Sequence, residues 1–181
     1  MDQPGTLRPG GVILPYRGRL PRIGEEVFIA PTASVIGDVV IGDRANVWFG
    51  VVIRGDDHEI RIGRRTNIQD GTVIHVTDDS FGTYIGSDVT IAHCAVVHGC
   101  TLEDKCFIGM SATVMDGVVV ESGAMVAAGA LVTPGKRVKS GELWKGSPAR
   151  RVRKLTEEEL AYFPEVIEHY VALAADYLAA K

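Results

Sequence analysis

Aliphatic residues recur at every sixth position along most of this chain, and that period constrains its fold more than any other feature. They stand at Ile29, Val35, Ile41, Val47 and Ile53, then at Ile62, Ile68 and Ile74, then at Ile85, Ile91 and Val97. The series closes with Leu102, Ile108, Val114, Val120, Val126 and Val132. A short interruption follows Ile53, a longer gap holds Asp78, Asp79, Ser80, Phe81 and Gly82, and the hexad ending at Leu102 is one residue short. Glycine often follows the aliphatic position, as in Ile41-Gly42, Ile62-Gly63, Ile85-Gly86 and Ile108-Gly109. Small residues such as Ala33, Ala45, Thr66, Ala95, Ala112 and Ala130 fill the fifth place.

A period of six matches neither the 3.6-residue helix nor the two-residue alternation of a strand. It matches a triangular coil in which each hexad makes one short strand and one turn, with the aliphatic side chain inside and the small residue at the corner. Three hexads close a coil, and coils stack at the inter-strand spacing of ~4.8 Å, giving a continuous quasi-one-dimensional core. The expected fold is therefore mainly β, a left-handed parallel β-helix of hexapeptide repeats over residues 1–150. A sandwich of short strands would instead show turn signals every 8–12 residues or so and no fixed register.

After Pro148 the pattern changes, and residues 151–181 read as a C-terminal helical segment packed on the prism. Thr156-Glu157-Glu158-Glu159 has the form of a capping box, with Thr156 as N-cap. Pro164 fits the first turn of a second helix better than the interior of one long helix. Phe163, Ile167, Tyr170, Ala174, Tyr177 and Leu178 form an apolar stripe at helical spacing, able to cover one prism face.

The formal net charge of -4 gives no electrostatic case for nucleic acid. No apolar run approaches the ~20 residues of a spanning helix, so no membrane insertion is expected, and no membrane partner is read from the sequence. Met1-Asp2-Gln3-Pro4-Gly5 has neither the basic start nor the apolar stretch of an export signal. Cys94, Cys100 and Cys106 form no C-x-x-C pair and read as reduced thiols of a cytoplasmic protein.

The register places side chains before any family is considered. With Ile29 on face one, Ile53, Ile74 and Val97 begin hexads on face two in consecutive coils. The residues after them, Arg54, His75 and His98, point outward in one column. At a Cα separation of ~4.8 Å, His75 and His98 can share one Zn²⁺ with bonds of ~2.0–2.1 Å. His93 follows Ile91 by two places on face one, and spacing alone leaves open whether it meets its own pair or that of a neighbouring subunit. Three neutral imidazoles with an open fourth position make the catalytic form of a zinc site. His58 and His169 share no such register and read as surface or packing residues.

Arg54-Gly55-Asp56, Asn67-Ile68-Gln69-Asp70-Gly71, His75, Ile91-Ala92-His93 and Val97-His98-Gly99 resemble the γ-class carbonic anhydrase family. The likeness extends to Gly146-Ser147-Pro148-Ala149, a turn shared with hexapeptide acyltransferases, and to the C-terminal helix. It implies a homotrimer that hydrates CO2 reversibly to bicarbonate, with metal sites between subunits. Each site would take His75 and His98 from one chain and His93 from the next, holding Zn²⁺, or Fe²⁺ or Co²⁺ as in some members. The resemblance makes Arg54 and Asp56 an intersubunit ion pair and Gln69 the partner of the metal-bound water, while Asp70 supports the interface. Tyr170 aligns with a site position on the C-terminal helix and equally belongs to the apolar stripe.

The chain departs from the family archetype in its loop after the first ligand. Val76-Thr77-Asp78-Asp79-Ser80-Phe81-Gly82 is short and lacks the glutamate that relays protons there. Asp57, Asp78 and Asp79 are the candidate substitutes. Two other classes fit the repeat: an acyltransferase or thioesterase using a histidine as general base, and a non-catalytic metal-bearing trimeric scaffold.

Overall fold

The computed structural model describes residues 10–180; the N-terminal stretch Met1–Gly5 lies outside the described residues. The hexads build a parallel β-solenoid of about seven turns followed by one helix. Each aliphatic column forms as the register requires. On face one, Ile29 pairs in sequence with Val47, Ile68, Ile91, Ile108, Val126 and Trp144. On face two the column is Val35, Ile53, Ile74, Val97, Val114 and Val132. On face three it is Ile41, Ile62, Ile85, Leu102, Val120 and Val138. Faces two and three share one 12-stranded sheet, because the long strands Ser34–Ile41 and Val52–Ile62 run around the corner between them.

The corners explain the rest of the repeat. The small fifth residues, including Ala45, Thr66, Ala95 and Ala112, are buried, so nothing larger fits the turn. The residue before each takes a left-handed φ, as at Arg65 (56°) and Cys94 (60°), a cost that stacking of the coils must offset. Gly63 is needed for a different reason: a Cβ there would fall on the backbone of Gly86 in the next coil. Cys94, Cys100 and Cys106 are all free. Burial pushes the thiols of Cys100 and Cys106 far above the ordinary range, which leaves them unreactive.

The chain leaves the solenoid through an antiparallel hairpin of Glu142–Gly146 and Ala149–Lys154 and enters helix α1, Glu157–Ala179. Because Ala149–Lys154 pairs back on the last coil, the helical segment begins a few residues later than 151. The capping box is complete: Glu159 N donates to Thr156 Oγ1 at 3.2 Å, and Thr156 N donates to Glu159 Oε2 at 2.9 Å. Pro164 does not start a second helix but lies inside a single 23-residue one. Its ring removes the donor for the Leu160 carbonyl, and both residues are on the exposed side, where water can satisfy that carbonyl. The opposite side buries Phe163, Val166, Ile167, Val171 and Ala174. The helix therefore covers face one, against Phe28–Ile29, Asn46–Val47, Asn67–Ile68 and Thr90–Ile91.

Candidate metal centre

His75 and His98 are direct Cα partners in adjacent coils, as their shared column requires. Their rings lie 5.2 Å apart, with His75 Nδ1 3.2 Å from His98 Nε2. The outer nitrogen of each ring meets a carboxylate: His75 Nε2 is 3.0 Å from Asp56 Oδ1, and His98 Nδ1 is 2.7 Å from Asp116 Oδ1. A carboxylate only accepts, so in the neutral imidazoles these contacts assign the proton to the outer nitrogens. The inner nitrogens then present two lone pairs to each other, a pairing that a cation bound between them relieves. Two ligands with bonds of ~2.0–2.1 Å on a tetrahedral ion stand about 3.3 Å apart, close to the observed separation. The donor set thus fits a divalent metal ion, and Asp56 and Asp116 are the carboxylates that would orient its ligands.

Asp56 is built for this part. Burial raises the pKa of its carboxyl, but hydrogen bonds from Arg54, His75 and the backbone outweigh that and hold it at about 2. Arg54 forms its ion pair with Asp56 within the chain, and Asp57 N adds a hydrogen bond at 3.0 Å. Asp57 itself is exposed, its carboxylate within 4.8 Å of the ligand atoms of Asp56 and His75. A cavity of about 390 Å³ opens here, lined by Tyr16, Arg17, Asp56, Asp57, His58 and Asp79 among others. Asp79 lines it and Asp78 does not.

His93 is not with the other two histidines. It sits at the corner between faces one and two, 40% exposed, with Nδ1 3.0 Å from Asp70 Oδ2. Beneath helix α1, on face one, Gln69 is buried, and its Nε2 donates to Asn67 Oδ1 at 2.9 Å. Asn67 Nδ2 in turn donates to Thr90 Oγ1 at 2.9 Å. One N–H of the Gln69 amide is thereby engaged, which orients the group, and its carbonyl oxygen is able to accept. Tyr170 packs edge-on against Trp48 at 5.4 Å, and burial, with the charge of Asp70 next, raises its phenol. It therefore belongs to the apolar stripe and also lies near Asp70.

One chain thus carries two groups of candidate residues: His75, His98, Arg54, Asp56 and Asp57 at the far end of face two, and His93, Asp70, Gln69 and Tyr170 around the near corner. Between them the outward column of face two leaves Val73 and Val96 exposed, at 39% and 36%. Two contributors, and the role of a third, escape the sequence reading. Asp116 precedes Gly117 and reads as an ordinary turn residue. Thr77, which donates to Asp116 at 3.1 Å, lies in a loop outside the hexad register. Asn67 stands in the motif Asn67-Ile68-Gln69-Asp70-Gly71, but its hold on Gln69 is a contact that the motif does not state.

The model for "Bacterial transferase hexapeptide (six repeats)" matches residues 21–55. A carbonic anhydrase of Geobacillus kaustophilus is 40% identical over 168 residues, covering 93% of this chain and 92% of its own. Gamma carbonic anhydrase 2, mitochondrial, of Arabidopsis thaliana is 51% identical over 159 residues, 85% of this chain. The chain spans 57% of that plant relative's length. Among solved structures, a hexapeptide transferase family protein from Anaplasma phagocytophilum superposes with a TM-score of 0.88 at 49% identity, over 92% of this chain and 98% of that one.

Proposed function

The chain belongs to the γ-class carbonic anhydrase family, and from that premise we propose that it hydrates CO2 reversibly to bicarbonate at a metal ion shared between subunits of a homotrimer. The observation that carries this reading is the convergence of two carboxylate-backed histidine nitrogens at 3.2 Å. His75 and His98 of one subunit would hold the ion together with His93 of the next. The separation of His93 from the pair within one chain supports a shared site, as does the exposed apolar column of Val73 and Val96 between the two groups. Such a face is stabilised by burial against a second copy.

Imidazole donors suit Zn²⁺, and also Fe²⁺ or Co²⁺. When bound, the ion supplies Lewis acidity that brings the pKa of water near 7, where CO2 hydration runs at neutral pH. The protein's own residues do the rest. Gln69, its amide end held by Asn67, offers a carbonyl oxygen that accepts a hydrogen bond from the reacting water and so orients it. Arg54 holds Asp56, and Asp56 holds the proton on His75 Nε2. Tyr170 stands by Asp70 at the edge of the second group. Asp57 and Asp79, which line the cavity beside Asp56, carry the released proton outward, with Asp78 next to Asp79 in the same loop.

The test is elemental analysis of the purified protein combined with a stopped-flow CO2 hydration assay. Metal at about one ion per chain with hydration that chelation abolishes supports the reading. Because the short loop Val76–Gly82 holds no glutamate, proton export should lean on external buffer. Raising imidazole buffer should then raise kcat while kcat/KM stays nearly flat. A fully metallated protein that hydrates no CO2 at any buffer concentration would leave a non-catalytic trimer as the answer.

A further inference from the structure

The charge of this molecule is divided very unevenly. Eight of its 19 lysines and arginines, but only one of its 23 carboxylates, lie between Lys136 and Lys154. Elsewhere eleven cations face 22 carboxylates. The fold gathers this segment at one place, since Arg137–Val138 is the last strand on face three and Ala149–Lys154 closes the other sheet. All eight cationic side chains are exposed at that C-terminal end of the prism. Arg137, Arg151 and Arg153 are engaged by Glu121, Glu142 and Glu159. Lys136, Lys139, Lys145, Arg150 and Lys154 form no ion pair among the described residues. Glu157 and Glu158 lie close by in sequence, in the first turn of α1, where the helix dipole favours them.

Charge on an edge strand also prevents sheets from pairing edge to edge. That role is already served by a bulge: Arg151 and Arg153 pair with Trp144 and Leu143, which leaves Val152 out of register. Five unpaired cations exceed what a bent edge needs. Val152 projects among them as an exposed apolar side chain.

We infer that the C-terminal end of the solenoid docks on an anionic lipid surface. A planar surface meets only this end, so the net negative remainder of the chain does not oppose it. A long nucleic acid lying along the molecule would meet that remainder and be repelled. A polybasic cluster of this size is of the kind that holds proteins at anionic headgroups, with the interaction confined to about a Debye length.

The test is flotation of the full-length protein with vesicles of phosphatidylcholine alone and with vesicles containing a quarter phosphatidylglycerol. Binding is expected only to the anionic vesicles at low salt, and release is expected as salt rises. Lys145→Glu with Arg150→Glu should weaken it at least about tenfold. Arg22→Glu with Arg64→Glu makes the same change in net charge at exposed positions elsewhere and should leave binding intact, with circular dichroism checking the fold of both variants. Failure to bind anionic vesicles at low salt would overturn the inference, as would equal losses in the two variants. Tighter binding to a duplex DNA than to anionic vesicles would overturn it in favour of nucleic acid. None of these outcomes bears on CO2 hydration.

Discussion

His98 is a ligand candidate because of a residue on the coil below it. Asp116, 2.7 Å from Nδ1, fixes the tautomer that turns a lone pair of Nε2 toward His75. Removing such a carboxylate typically costs ten- to a hundredfold in metal affinity. Asp116→Asn is accordingly expected to weaken metal binding by about that factor, read by competition with a chelator, while the thermal stability of the metal-free protein changes little. An unchanged affinity would mean that Asp116 merely caps a turn. Asp56 gives a pH signature. Its folded pKa of about 2 lies below the ordinary carboxylate value, so its contribution to stability is present above about pH 4 and is lost as pH falls toward 2. The stability difference between the metal-free parent and Asp56→Asn should shrink over that range. A difference independent of pH would contradict the assignment. At this scale the sequence is legible where the hexad register fixes direction, as for His75, His98 and Arg54. It is silent where a contact depends on the path of a loop, as for Thr77 and Asp116.

Helix α1 shows the same division among elements. Its start is written in Thr156 and Glu159, whose reciprocal hydrogen bonds close the cap. Its continuity through Pro164 is not, because local propensity favours a break and tertiary packing decides otherwise. Phe163, Val166 and Ile167 flank the proline on the buried side, and burying each fully is worth roughly 1.5–3 kcal/mol, comparable to the cost of about 3 kcal/mol for an interior proline. Thr156→Ala should therefore destabilise the protein by about 1 kcal/mol, measured by denaturant unfolding. Truncation after Arg153 uncovers Asn46, Trp48, Asn67 and Gln69 and should lower the melting temperature and expose apolar surface to a hydrophobic dye. An unchanged melting temperature would show that the helix is dispensable for the prism.

The whole molecule was the most legible scale, because a six-residue period admits few architectures and the three columns then follow by counting. What counting cannot supply is the second chain. His93 and the His75–His98 pair occupy separate corners of one prism, so in the proposed site the third imidazole comes from a neighbouring copy. The central claim, a metal site completed across a subunit boundary, is tested by co-expressing differently tagged His75→Ala and His93→Ala chains and measuring metal in the purified mixture. In a closed ring of three, every mixed trimer regains one intact site, since a His93→Ala chain still offers His75 and its His75→Ala neighbour still offers His93. Random assembly predicts metal at about a quarter of the wild-type level, with both parents near zero. Metal in the mixture no higher than in either parent, with mixed trimers confirmed through their tags, would contradict the shared site.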